Sequence, residues 1–226
     1  MKTELQQENT PTKIYSLTRP GLLTISDSKS SCFGGNQDWF PEKFKRKKGC
    51  GIVAAGNIFM YMAGTAPEYS ALFRGGRTKA DYTSHIGEIS RYLKAGRFGI
   101  WGTMRFVFGA LAFARTRGVA LAPKTLSAGF TVKEAAEFIK EGLEMDRPIA
   151  MLIGFNKRLK GVSCAFSGGS RSCSLNAHWV TVTELKEDVS AGKFTVRVST
   201  WGASAEIDLE DYVSGERFCK KLIWFK

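Results

Sequence analysis

Long apolar runs are missing from this chain of 226 residues. The longest, Phe106 to Ala114, is closed off by Arg105 and Arg115 and falls far short of the roughly 20 residues a bilayer-spanning helix needs. The first ten residues, MKTELQQENT, hold no apolar stretch of the kind a secretory signal carries. Histidine is scarce, at two residues, and the five cysteines (Cys32, Cys50, Cys164, Cys173, Cys219) are odd in number with no C-x-x-C spacing. That pattern fits neither a disulfide framework nor a zinc site. No zinc-finger, helix-turn-helix or RNA-recognition signature is present, and no internal repeat. The expectation is a cytoplasmic protein with no membrane span, no metal or organic cofactor and no specific nucleic-acid partner.

What is present describes a globular enzyme-sized domain. Residues are 43% hydrophobic, 12% aromatic and 24% charged, enough apolar material for a sizeable core and too much for extensive disorder. The 33 basic against 21 acidic residues give a net charge of +12, which attracts acidic partners without specifying one. The densest cations, Lys43, Lys45, Arg46, Lys47 and Lys48, read either as a solvated loop or as a basic rim steering an acidic substrate.

Residues 1–33, rich in Ser, Thr and Gln and broken by Pro11 and Pro20, read as an irregular arm. The run GCGIVAAGNIFMYMA is apolar on nearly every face, the pattern of a helix buried mid-domain. Further helices are expected over 81–93, 103–115 and 131–145, the last opened by a Thr131/Glu134 capping box. After Pro148 the pattern changes to strands, at 149–155, 178–184, 194–201, 205–209 and 221–225. Residues 157–176, with paired glycines and several serines, read as a long loop before His178. Helices first and antiparallel strands second is an α+β order. One domain is expected over 34–226, with a helical lobe to about 147 and a sheet lobe beyond it.

The chemistry-bearing pair is Cys50, between two glycines at the start of the buried helix, and His178, which opens HWVTVTEL 128 residues later. A thiol in the first turn of a helix has its thiolate favoured by the dipole and by unsatisfied N–H groups. A histidine from the other half of the fold can hold it as an ion pair and act as its base. Gly51 would let a substrate carbonyl approach the Cys50 N–H. His85, in the middle of a helical stretch, reads as a packing residue.

The order of these features resembles the papain-like cysteine peptidase superfamily: a Cys helix first, a His-led strand in the second half, then Ser199-Thr200-Trp201-Gly202 where the family carries Asn-Ser-Trp-Gly. The Cys-Gly start and an upstream glutamine are most similar to the bacterial branch related to double-glycine leader peptidases. The resemblance covers about residues 34–226. It implies a cysteine hydrolase of peptide or amide bonds, or an acyltransferase of the same mechanism. It implies Gln37 as an oxyanion donor, although 13 residues before Cys50 is a longer gap than usual, so the basic segment would bulge out between them. Ser199 would orient His178 in place of Asn or Asp, with Asp208 and Asn176 as substitutes. The implied partner is a peptide or protein substrate, an acidic one fitting the charge. A papain-like binding module without catalysis is the rival reading.

Overall fold

The computed structural model describes residues 12–27, 30–215 and 219–226. Thr12–Ser16 (β1) comes first, then the antiparallel pair Thr24–Asp27 (β2) and Ser30–Phe33 (β3). Helices follow: Lys43–Lys48 (α1), Cys50–Ala63 (α2), Lys79–Ile89 (α3) and Thr103–Thr116 (α4). Pro123–Ser127 (β4) and Val132–Glu144 (α5) lead into Ile149–Ile153 (β5), Lys160–Phe166 (β6), Gly169–Ser174 (β7), His178–Asp188 (β8), Lys193–Thr200 (β9) and Ala203–Asp208 (β10). Leu209–Ser214 (α6) and Lys221–Phe225 (β11) close the chain.

The strands of the second half form one antiparallel sheet in the order β4-β11-β5-β8-β9-β10-β6-β7. Strand β8 is its spine. Its first residues pair with β5, His178 opposite Ile153, and its last pair with β1, Glu184 opposite Ser16. Helix α2 is buried from Gly51 to Met62, as expected of a helix with no polar face. It lies between β8 and α3, where the Tyr82 hydroxyl shares its one proton between the Val53 carbonyl at 2.9 Å and Asn57 Oδ1 at 2.7 Å. The capping box of α5 is formed, and Ala135, Ile139 and Leu143 are buried on one side. The architecture is therefore α+β, a helical half carrying the Cys50 helix packed on a sheet led by the His178 strand, with one continuous core.

Three segments differ from the sequence reading. Residues 12–27 and 30–33 of the expected irregular arm are built in: β1 lengthens the sheet, and Leu17, Leu23 and Ile25 are fully buried. The part of that arm at residues 1–11 lies outside the described residues. The expected loop at 157–176 contains the hairpin β6–β7; its side chains are mostly exposed and polar, so no apolar alternation marked it. The basic cluster at 43–48 is the short helix α1, not a loop.

Candidate active site

Helix α2 begins at Cys50 because Gly49 ends α1 and starts α2 at once. The Gly49 N–H donates to the Lys45 carbonyl at 2.7 Å, and a Cβ there would lie 2.5 Å from that oxygen and 2.8 Å from the Phe40 ring. Gly51 serves packing as well: its missing Cβ makes room for Ile100 and the Trp179 indole at 3.0 and 3.1 Å. Cys50 is half-buried. Burial pushes its thiol up, against smaller downward pulls from the backbone N–H groups of Trp179, Gly51 and Cys50 itself and from Lys48. Desolvation outweighs the helix start here, the reverse of the thiolate expected from sequence.

His178 is 6% exposed. Its Nε2 and the Thr200 hydroxyl lie 2.9 Å apart in a hydrogen bond, and among the described residues no hydrogen bond joins the imidazole to Cys50. The Trp201 ring stacks on the imidazole with centroids 4.0 Å apart and planes 14° from parallel. Burial pushes His178 down to about 3. The closed site thus favours a neutral thiol beside a neutral imidazole.

Ser199 makes no hydrogen bond to the imidazole. Its hydroxyl donates to the Phe33 carbonyl at 2.7 Å and accepts from Asn57 Nδ2 at 3.3 Å. Alternation along β9 sends the two neighbouring hydroxyls to different partners, and Thr200 is the one at His178. Asp208 is spent elsewhere, capping α6 through the Glu210 N–H at 2.7 Å.

Trp201 and Gly202 form the two-residue turn between β9 and β10, with φ of +47° and +76°. Both signs match a type I′ hairpin turn, which Asn-Gly usually fills. A tryptophan held there is strained by about 1 kcal/mol or more, and the strain coincides with the stacking on His178. The turn docks on the Gly34-Gly35 segment through Phe33 N–H to Gly202 O at 2.9 Å and Gly202 N–H to Gly35 O at 3.0 Å.

That segment leads to Gln37, in the 3-10 turn Gln37–Trp39. Gln37 donates from Nε2 to the Arg46 carbonyl of α1 at 2.7 Å. Its Oε1 is buried with no partner among the described residues. The extra length between Gln37 and Cys50 is thus taken up by α1, whose backbone holds the glutamine.

Cys50, His178, Gln37, Ser199, Thr200 and Trp201 all line one cavity of about 10 Å³, room for roughly one water. His85 lies apart, buried among the Phe73, Tyr82 and Phe113 rings. None of the other four cysteines lines the cavity. Among the described residues no cluster of His, Cys, Asp or Glu could hold a metal ion, and no helix is long and apolar enough to cross a membrane.

Asn57, two turns below Cys50, is the residue the sequence reading passed over. Its Oδ1 accepts from the Gly35 N–H at 2.9 Å and the Tyr82 hydroxyl at 2.7 Å, and its Nδ2 donates to Thr181 Oγ1 at 3.1 Å and Ser199 Oγ at 3.3 Å. One buried amide therefore joins the Cys50 helix to α3, β8, β9 and the Gln37 segment. Its signal was available: it is the one strongly polar residue between Cys50 and Met60.

Neither a protein-family model nor a curated protein sequence matches the chain. Among solved structures it is similar to UfSP from C. elegans, with 7% identity and a TM-score of 0.48 over 99% of this chain and 36% of that one. It is also similar to the Pseudomonas avirulence protein AvrPphB, with 11% identity and a TM-score of 0.37 over 82% of this chain and 95% of that one. The chain thus spans about a third of the length of UfSP.

Proposed function

We propose that this chain is a papain-like cysteine hydrolase of peptide or amide bonds, related to the bacterial double-glycine leader peptidases and working in the cytoplasm. The observation that carries this reading is the meeting, in one cavity, of a thiol at a helix start with an imidazole whose Nε2 is already bonded to Thr200. In the proposed reaction His178 Nδ1 takes the Cys50 proton, and the thiolate adds to the substrate carbonyl. The Cys50 N–H and the second hydrogen of Gln37 Nε2 receive the oxyanion. His178 then protonates the leaving amine, leaving a thioester, and water deprotonated by the same imidazole releases the acid and the thiol. An amine in place of water gives acyl transfer by the same steps.

The cavity holds too little space for a substrate, so the ion pair belongs to an opened cleft, where water reduces the desolvation that now keeps both groups neutral. The small cavity and the neutral pair also favour the rival reading, a binding module without catalysis.

Alkylation by iodoacetamide, followed at each cysteine by peptide mass spectrometry against pH, separates the two. On the hydrolase reading the cleft opens transiently in the free protein and admits the reagent, so Cys50 reacts faster than the other four thiols near pH 6 and loses that advantage in His178→Ala. If Cys50 titrates as an ordinary or buried thiol in both proteins, the hydrolase reading fails and the binding module replaces it.

A further inference from the structure

Between Glu88 and Glu134 the chain has no acidic residue, yet it carries Arg91, Lys94, Arg97, Arg105, Arg115, Arg117, Lys124 and Lys133. Only Arg117 and Lys124 of these form an ion pair among the described residues, with Glu88 and Glu141. The same stretch holds large apolar side chains turned to solvent: Phe98 is 71% exposed, and Met104 and Phe108 on α4 are each 60% exposed. Met104 and Phe108 are one helical turn apart, so they share the outer face of α4. Beside them Tyr92, Lys94, Ala95, Arg105, Phe108 and Gly109 line an open groove of about 460 Å³.

The opposite side of the same helix reaches the wall of the cavity that holds Cys50 and His178. Helix α4 turns Phe106 inward to stack on Trp179 at 4.5 Å, next to His178. The loop leading into α4 places the Ile100 carbonyl on Trp179 Nε1 at 2.8 Å and its side chain against Gly51. Trp101, one residue on, meets the Phe155 ring at 5.3 Å.

We propose that the outer face of α4 and the loop before it dock an acidic polypeptide segment with aromatic or large apolar side chains, presented by the protein substrate. This rests on the hydrolase reading for the identity of the segment as substrate. The layout is that of a protein interface, apolar centre and charged rim. The rim is of one sign and largely unpaired, so it selects an acidic partner and hastens encounter. A concave groove walled by Tyr92 and Phe108 admits single side chains, which a flat lipid surface would not fill. Nucleic acid would call for cations tracking a backbone along a groove with aromatics as stacking platforms, whereas here Met104 and Phe108 form the centre.

The test is binding of a fluorescent random copolymer of glutamate and tyrosine to full-length Cys50→Ala, which cannot turn over, in about 0.15 M salt, where distant exposed charges are largely screened. Polyglutamate, oligouridylate and phosphatidylserine vesicles serve as competing probes. The copolymer is expected to bind at least about tenfold tighter than polyglutamate, and Arg105→Glu/Phe108→Ser to weaken it at least about tenfold. Arg97→Glu/Phe98→Ser should act in the same direction. The charge-matched control Lys160→Glu, on the sheet, should change binding less than about threefold. Equal affinity for polyglutamate, an equal loss in the control, or preference for the RNA or the vesicles overturns the proposal. Because the binding needs no thiol, failure of docking and failure of the Cys50 nucleophile are read separately.

Discussion

On the hydrolase reading, Thr200 is the residue that orients His178. Its hydroxyl is bonded to His178 Nε2, whereas Ser199 bonds Phe33 and Asn57. Thr200→Val keeps the shape and removes the hydroxyl, leaving the imidazole free to swing. The Cys50 alkylation advantage near pH 6 should then fall on the order of a hundredfold, the scale of a lost acid–base partner. Thr200→Ser should restore most of it. Ser199→Ala should leave the rate within about threefold and cost roughly 1 kcal/mol of stability for its lost hydrogen bond. The opposite ranking would put the orienting role back on Ser199. Asn57→Ala acts differently, because it removes four buried hydrogen bonds at once and leaves the Gly35 N–H and the Thr181 hydroxyl without that partner, while Tyr82 and Ser199 keep Val53 and Phe33. A loss of about 3 kcal/mol or more is expected, seen as a fall of roughly 6–12 °C in the melting temperature. A fall under about 2 °C would show that water or repacking satisfies those groups.

At the scale of elements, legibility followed burial. Helix α2 and strands β5, β8 and β11 were readable because each is buried along most of its length, and α5 announced itself with its Thr131–Glu134 box. The unread elements lack that signal. The sequence KFKRKK of α1 has no buried residue, and its order comes from contacts made in space, such as the Arg46 carbonyl on Gln37. Strand β1 is exposed along nearly its whole length and exists as a strand only because β8 is there to pair with it. In the site, Cys50, His178 and Gln37 could be marked from order and spacing, but the choice between Ser199 and Thr200 depends on strand phase, which one register step reverses. Gly34 shows what spacing conceals. It sits at φ +75°, and a Cβ there would lie 2.0 Å from Ser199 Oγ. Gly34→Ala should therefore cost roughly 2–4 kcal/mol and loosen the Gln37 segment from β9, measurable as faster amide exchange at Gly35 and Gly202. A melting temperature equal to wild type would show that the segment yields without strain.

For the molecule as a whole, the two histidines set a shared response to acid. Both are buried, His85 among aromatic rings with Arg117 also disfavouring its charge, and both are pushed down to about 3. In the unfolded chain each titrates near 6.5. Between these values the unfolded state binds more protons than the folded state, so stability falls as pH drops below about 6 and is regained as pH rises. Each histidine contributes a slope of up to roughly 1.4 kcal/mol per pH unit, and the pair about twice that. Carboxylates titrate mostly around pH 4 and below, so the interval from about pH 6 to pH 5 isolates the imidazoles. With net charge already at +12 before any histidine is protonated, added protons also raise self-repulsion in the compact state, which acts in the same direction. The melting temperature should therefore drop by several degrees across that unit of pH. His85→Phe, which keeps a ring among Phe73, Tyr82 and Phe113, should remove about half of the slope. The half that remains belongs to His178, and passing the Cys50 proton to the imidazole inside the site leaves it unchanged, because the pair holds one proton either way. A melting temperature flat from pH 6 to pH 5 would mean that both imidazoles are solvated in the folded protein, contrary to their burial.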